Sequence, residues 1–163
     1  VEKIFFIDLS LKAGAGRVVS HNFYWVPYTQ TTFDWNRTDY THTPALRHED
    51  LTALTALPQA QVKAEAEIAQ TAHGREVRVH LNNTSSNLAF QVRVAPRTAD
   101  GGLIAPVLWS DNWIELAPGE SATLTASLPD DAPASPVIHV EGWNVQAVTL
   151  TPTSGAAAMH EGN

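Results

Sequence analysis

Apolar and polar residues alternate with a period of two along most of this chain, the pattern of strands that bury one face. In residues 4–11, Phe5, Ile7, Leu9 and Leu11 share one face, while Asp8 and Ser10 share the other. Ala13-Gly14-Ala15-Gly16 then turns the chain, and residues 17–26 return as a second strand. A lone hairpin is marginal in water, so this one has to dock on something. Alternation resumes at residue 61. Val62, Ala64, Ala66 and Ile68 alternate with Lys63, Glu65 and Glu67, and Val77, Val79 and Leu81 with Arg78, His80 and Asn82. After the polar turn of residues 82–87, Leu88, Phe90, Val92 and Val94 are expected inside, with Gln91 and Arg93 outside.

Residues 103–109, 113–116, 121–128, 137–141 and 143–150 read as further strands. In Ala117-Pro118-Gly119-Glu120, proline presets φ at the second turn position and glycine supplies φ > 0 at the third, a type II turn. Ala122, Leu124, Ala126 and Leu128 then face inward between Thr123, Thr125 and Ser127. Gly142, between two strand halves, predicts a bulge or an edge kink. About seven short strands separated by turn signals make an all-β sandwich the expected architecture.

Residues 28–60 break the pattern. Neither period is sustained there, apart from a short helical turn expected at 48–54 with Leu51 and Leu54 on one side. An unstructured connection of this length is unusual inside one compact domain, so a boundary between two units is expected. The chain therefore reads as a hairpin (1–27), an aromatic-rich connection (28–60), a sandwich (61–151) and a flexible tail (152–163).

Bulk composition narrows the partners. With 10 Lys+Arg against 17 Asp+Glu in 163 residues, the formal charge is −7, which argues against a nucleic-acid groove or an anionic membrane surface. No apolar run approaches the roughly 20 residues of a membrane span. The absence of cysteine excludes disulfides and thiolate chemistry. The start of the chain reads as an amphipathic strand, not as an export signal.

Candidate chemistry is sparse. Seven histidines (21, 42, 48, 73, 80, 139 and 160) include no HxH or HExxH pair, although His80 and His139 could meet across strands. No metal or cofactor is expected. Asp34, Asp39, Glu49, Asp50, Asp111 and Glu115 read as solvated loop acids, and no GxSxG is present. Three Asn-x-Ser/Thr acceptor patterns begin at Asn36, Asn82 and Asn83.

The strongest local anomaly is aromatic. Phe23, Tyr24, Trp25, Tyr28, Phe33, Trp35 and Tyr40 fall within eighteen residues. Two readings stay open. Trp25, Trp35 and Tyr40 could form a stacking platform for sugar rings, or the segment could supply packing and interface area, which is the reading favoured here. Trp109, Trp113 and Trp143 read as core or edge packing.

Three segments carry a family resemblance: RVVSHNFYWVP at 17–27, FDWNRTDYTHTPALRHEDLTAL at 33–54, and SDNWIELAPGESATLTASLP with VEGWNV. Together they resemble the C-terminal immunoglobulin-like region of family 2 glycoside hydrolases, in the branch of exo-β-D-glucosaminidases, β-mannosidases and mannosylglycoprotein endo-β-mannosidases. The resemblance implies an all-β, immunoglobulin-like β-sandwich with an additional N-terminal hairpin, that hairpin closing a preceding immunoglobulin-like domain. It also implies a non-catalytic module that supports a catalytic barrel, with the barrel and neighbouring sandwich domains as partners and glycan chains as a further one. In such enzymes two barrel glutamates perform retaining hydrolysis; neither has a counterpart here, so no catalytic residue is assigned. An extracellular or periplasmic location is implied in the same way.

Overall fold

A computed structural model describes residues 3–155. It divides into two compact units, Val1–Leu57 and Pro58–Asn163.

In the first unit, β1 (Ile4–Lys12) and β2 (Val18–Pro27) form an antiparallel hairpin with Phe5 opposite Val26, Ile7 opposite Tyr24 and Leu9 opposite Asn22. Its loop is a tight 3-10 turn, Gly14–Gly16, in which Ala15 and Gly16 both take positive φ. Cross-strand partners share a face, so Phe5, Ile7, Leu9, Leu11 and Tyr24 form one apolar surface. All five are exposed. On the other face Phe6 and Phe23 meet at 5.9 Å, and His21 Nε2 lies 2.8 Å from Asp8. The segment that follows is ordered by short elements: β3 (Thr32–Phe33) pairs with β4 (Ala45–Arg47), and 3-10 turns cover Trp35–Arg37 and Thr52–Ala56. The helical turn expected at 48–54 thus starts later. Asp50 accepts from the backbone N–H and the hydroxyl of Thr52, so the turn begins after it.

The second unit is a sandwich of two four-stranded sheets. One has the order β11-β10-β7-β8, and the other β12-β5-β6-β9. The strands are β5 (Val62–Thr71), β6 (Gly74–Asn83), β7 (Ala89–Arg97), β8 (Ile114–Leu116), β9 (Ser121–Ser127), β10 (Val137–Gly142), β11 (Val145–Leu150) and β12 (Thr153–Ser154). Val77, Val79, Leu81 and Leu124 from one sheet meet Val92, Val94, Ile138 and Val140 from the other in a single core. The inward phase expected for β5, β6 and β9 is the phase observed. The type II turn is also present: Gly119 has φ +78° and Glu120 N–H donates to Ala117 O at 2.9 Å.

Some expectations need correction. In β7 the phase changes at Gln91, which takes φ +53° as the register with β8 shifts. Ala89, not Phe90, therefore joins Val92 and Val94 in the core cluster, although Phe90 is itself buried. Residues 103–109 form no continuous strand. Only isolated bridges occur at Leu103 and Trp109, because Pro106 has no N–H to offer a ladder. His80 and His139 stand on different sheets and bond separately to Thr123 and Thr149. Asn83 is fully buried, so it is not an accessible glycosylation acceptor in the folded domain. Trp113 and Trp143 are more than half exposed and do not belong to the core. Of the segment read as a tail, Thr153 and Ser154 pair in parallel with Glu67 and Ile68, while residues 156–163 lie outside the described residues.

Candidate functional site

Trp25, Trp35 and Tyr40 are only partly brought together. Trp25 lies on β2 opposite Phe6. With Phe33, Thr31, Gln30 and Glu49 it lines a shallow cavity of about 370 Å³. Phe33 also contacts Trp35, with ring centroids 5.5 Å apart and planes at 53°. Trp25 and Phe33 thus line one cavity, and Trp35, in contact with Phe33, is 72% exposed. Tyr40 stands apart on a neighbouring loop tip and is fully solvent-exposed.

That tip is nonetheless rigid in design. Asp39 accepts from Thr41 Oγ1 at 2.6 Å and from the backbone N–H groups of Thr41 and His42 at 2.7 and 2.9 Å. Its own N–H donates to His42 O at 3.1 Å. These bonds, led by the Thr41 hydroxyl, hold the Asp39 carboxyl below its ordinary value of 3.8. Asp50 is lowered by Thr52, and Asp100 by Thr98, in the same way. Since the folded-state value is the depressed one, the turn is fully tied at neutral pH. It loosens only as pH falls through that acidic range. Amide exchange at Thr41 and His42 is accordingly expected to show slow opening at pH 6 and fast opening at a pH below the depressed folded-state value, after correction for the intrinsic rate. Equal protection at both pH values would show that the carboxylate does not hold the tip.

A second cavity, about 820 Å³, lies in the sandwich between β5 and the edge strand β11. Its lining includes Val62, Ala64, Val145, Val148 and Leu150 with Lys63 and Glu65. The buried polar side chains among the described residues are amides, Asn83 and Asn144, not acids. Retaining glycosidases need two carboxyl groups about 5 Å apart, one of them with a raised pKa. The carboxyls of Asp39, Asp50 and Asp100, on exposed loops, are shifted downward. Among the described residues, no group of three or more His, Cys, Asp or Glu side chains could hold a metal ion.

The sheet orders and core are those of an immunoglobulin-like sandwich, and sequence comparison agrees. A model of the exo-beta-D-glucosaminidase Ig-fold domain matches residues 40–145. The chain belongs to this family. Similar relatives include exo-beta-D-glucosaminidases of Arthroderma benhamiae, 36% identical over 86% of this chain and 16% of the relative, and of Streptomyces avermitilis, 35% identical over 87% and 16%. The crystal structure of Amycolatopsis orientalis exo-chitosanase CsxA superposes with a TM-score of 0.85 at 33% identity, covering 93% of this chain and 18% of that one. The resemblance to the C-terminal immunoglobulin-like region of family 2 glycoside hydrolases is therefore shown. This Ig-fold region spans about one-sixth of the length of the curated relatives it matches.

Sequence reasoning passed over one prominent surface residue of the Ig-fold sandwich. Trp113 is no core residue: its ring stands on the outer face of the β11-β10-β7-β8 sheet, where Arg93 lies 5.2 Å from its centroid. The available signal was the Ser110-Asp111-Asn112 turn before it, since such a cluster marks a loop and not a strand interior.

Proposed function

We propose that this Ig-fold region serves a larger exo-β-D-glucosaminidase-type hydrolase as a non-catalytic support. In that role it buttresses a catalytic barrel and neighbouring sandwich domains, while glycosidic bonds break elsewhere in the polypeptide. The observation that carries the reading is the bare apolar face of the β1–β2 hairpin. Phe5, Ile7, Leu9 and Leu11 stand exposed in a row, and full burial of such side chains is worth roughly 1.5–3 kcal/mol each. A contiguous apolar face of this kind marks a surface meant to be covered. The preceding sandwich domain of such an enzyme, to which the hairpin would add its two strands, is the cover proposed. The sandwich of residues 58–155, by contrast, has a closed core and no buried acid among its described residues. An extracellular or periplasmic location fits a hydrolase that meets polymeric glycans.

The test is direct. Purified chain is assayed with chromogenic β-glucosaminide and β-mannoside, and no turnover above buffer is expected. Turnover by the chain would sink the proposal. In the parent hydrolase, Ile7→Glu with Leu9→Glu is expected to lower the melting temperature. In this chain the same pair should leave the melting of the sandwich unchanged and reduce self-association.

A second reading has its own support. Trp35 and Tyr40, both well exposed on ordered turns, offer faces on which a glucosamine-containing chain could stack as it approaches the barrel. Tyr40→Ala in the parent should then lower kcat/KM on chito-oligosaccharides by about threefold to tenfold without moving Tm. Unchanged kinetics would leave the buttress alone as the role.

A further inference from the structure

Trp113 has φ +59°, a conformation rare for any residue with a side chain and a true outlier for one this bulky. The strain is maintained deliberately. Asn112 pairs its side-chain amide with the backbone of Val94, accepting from Val94 N–H at 2.9 Å and donating to Val94 O at 2.8 Å. Asn112 Oδ1 also accepts from Trp113 N–H at 3.0 Å. The clamp sets the indole on the outer surface of the sheet, where it is 52% exposed.

A row of polar groups continues from the ring across three strands. Arg93 stacks on it and donates to Glu141 Oε1 at 3.1 Å. Glu141 Oε2 lies 3.5 Å from His139 Nε2, and Gln91 donates to Glu115 at 2.7 Å on the neighbouring strands. At the usual strand spacing this row is about 10 Å across. Packing does not require it: the core lies on the opposite side of the sheet. Strained residues persist where function needs the geometry.

We infer that Trp113 is the stacking platform of a glycan-binding surface on the sandwich, with Arg93, Glu141 and Glu115 meeting the hydroxyl and amino groups of a glucosamine-containing chain. A pyranose presents C–H groups to an indole face, and its equatorial substituents reach sideways to donors and acceptors. Carboxylates flanking the ring suit an amino sugar. The ligand class rests on the reading proposed above; the location of the surface does not.

The test uses this chain, labelled with nitrogen-15, and the glucosamine hexamer as ligand. The Trp113 indole N–H resonance, assigned with Trp113→Phe, should shift saturably, while those of Trp109 and Trp143 stay in place. Trp113→Gly should weaken binding by about tenfold or more while leaving Tm the same or higher, since glycine accepts positive φ without strain. A stationary Trp113 signal at 10 mM hexamer, or equal affinity of the glycine variant and the wild type, would overturn the inference. Cellohexaose is the control: equal binding would keep the platform and remove the amino-sugar preference. Because the supporting role is tested by turnover of the chain and by melting of the parent, failure here does not count against it.

Discussion

Asn144→Leu is expected to destabilise the sandwich by about 3–5 kcal/mol, enough to leave it partly unfolded at 37 °C. The side chain is almost completely buried, and both of its donors and its acceptor oxygen are engaged. Oδ1 accepts from Phe90 N–H at 2.9 Å, and Nδ2 donates to Pro58 O at 2.6 Å and Leu88 O at 2.8 Å. Carbonyls only accept, so this amide orientation is the one that satisfies all three partners. Leucine is close in size, so the loss would not be a cavity effect. It would come from one N–H and two C=O groups stranded away from water. The backbone bond from Ala60 N–H to Asn144 O at 2.9 Å ties the same corner and survives the substitution. Chemical denaturation of the variant gives the number directly. A loss below about 1 kcal/mol would mean that water reaches these groups and that the corner is less closed than described.

Asn83→Asp should be nearly as costly, and its cost should depend on pH. Asn83 is fully buried at the end of β6. Its Nδ2 donates to Asn87 O at 2.7 Å, Leu116 O at 2.8 Å and Ala117 O at 3.3 Å, while Oδ1 accepts from Ser85 N–H and Ser85 Oγ. Aspartate keeps the shape but turns a donor facing three carbonyl oxygens into an anion. Burial and those oxygens would raise the carboxyl pKa of the folded state above its unfolded value of about 3.9. A raised folded value means that stability is retained below the unfolded pKa and lost as pH rises through the folded one. The variant should therefore be about 3 kcal/mol or more less stable than wild type at pH 7, and the gap should narrow near pH 4. A gap independent of pH would show that the carboxylate escapes to solvent. Loosening of the 117–120 turn should accompany the loss, because Asn83 also bonds Glu120 O and Gly119 N–H through its backbone.

These two asparagines show where reading the chain reaches its limit. Both stand in polar stretches, Asn82-Asn83-Thr84 and Trp143-Asn144, that look like ordinary turns. Nothing local distinguishes Asn83, which is buried and bonded on both its donor and acceptor sides, from Asn82, whose amide bonds Ser121 Oγ across to β9 in an exposed position. The difference lies in partners 33 residues away in β8 for Asn83 and 86 residues away at Pro58 for Asn144. The misreading of β7 has a similar origin. Alternation counted through Gln91 places Phe90 in phase with Val92, but one bulged residue resets the period. Trp113 shares the outward phase of Glu115, between inward Ile114 and Leu116, but its place before so short a strand hides that phase from a local reading.

What the chain determines without help is what short-range physics can specify. The period of two sets the strands of the hairpin and the sandwich, Pro118 and Gly119 set their turn, and the ordered motifs of residues 17–54 and 109–145 indicate the family. The tertiary structure alone decided which polar groups are buried, where the period slips, and which aromatics face water. Each of those depends on a partner distant in sequence, and burial is a property of the assembled sheets that no local pattern encodes.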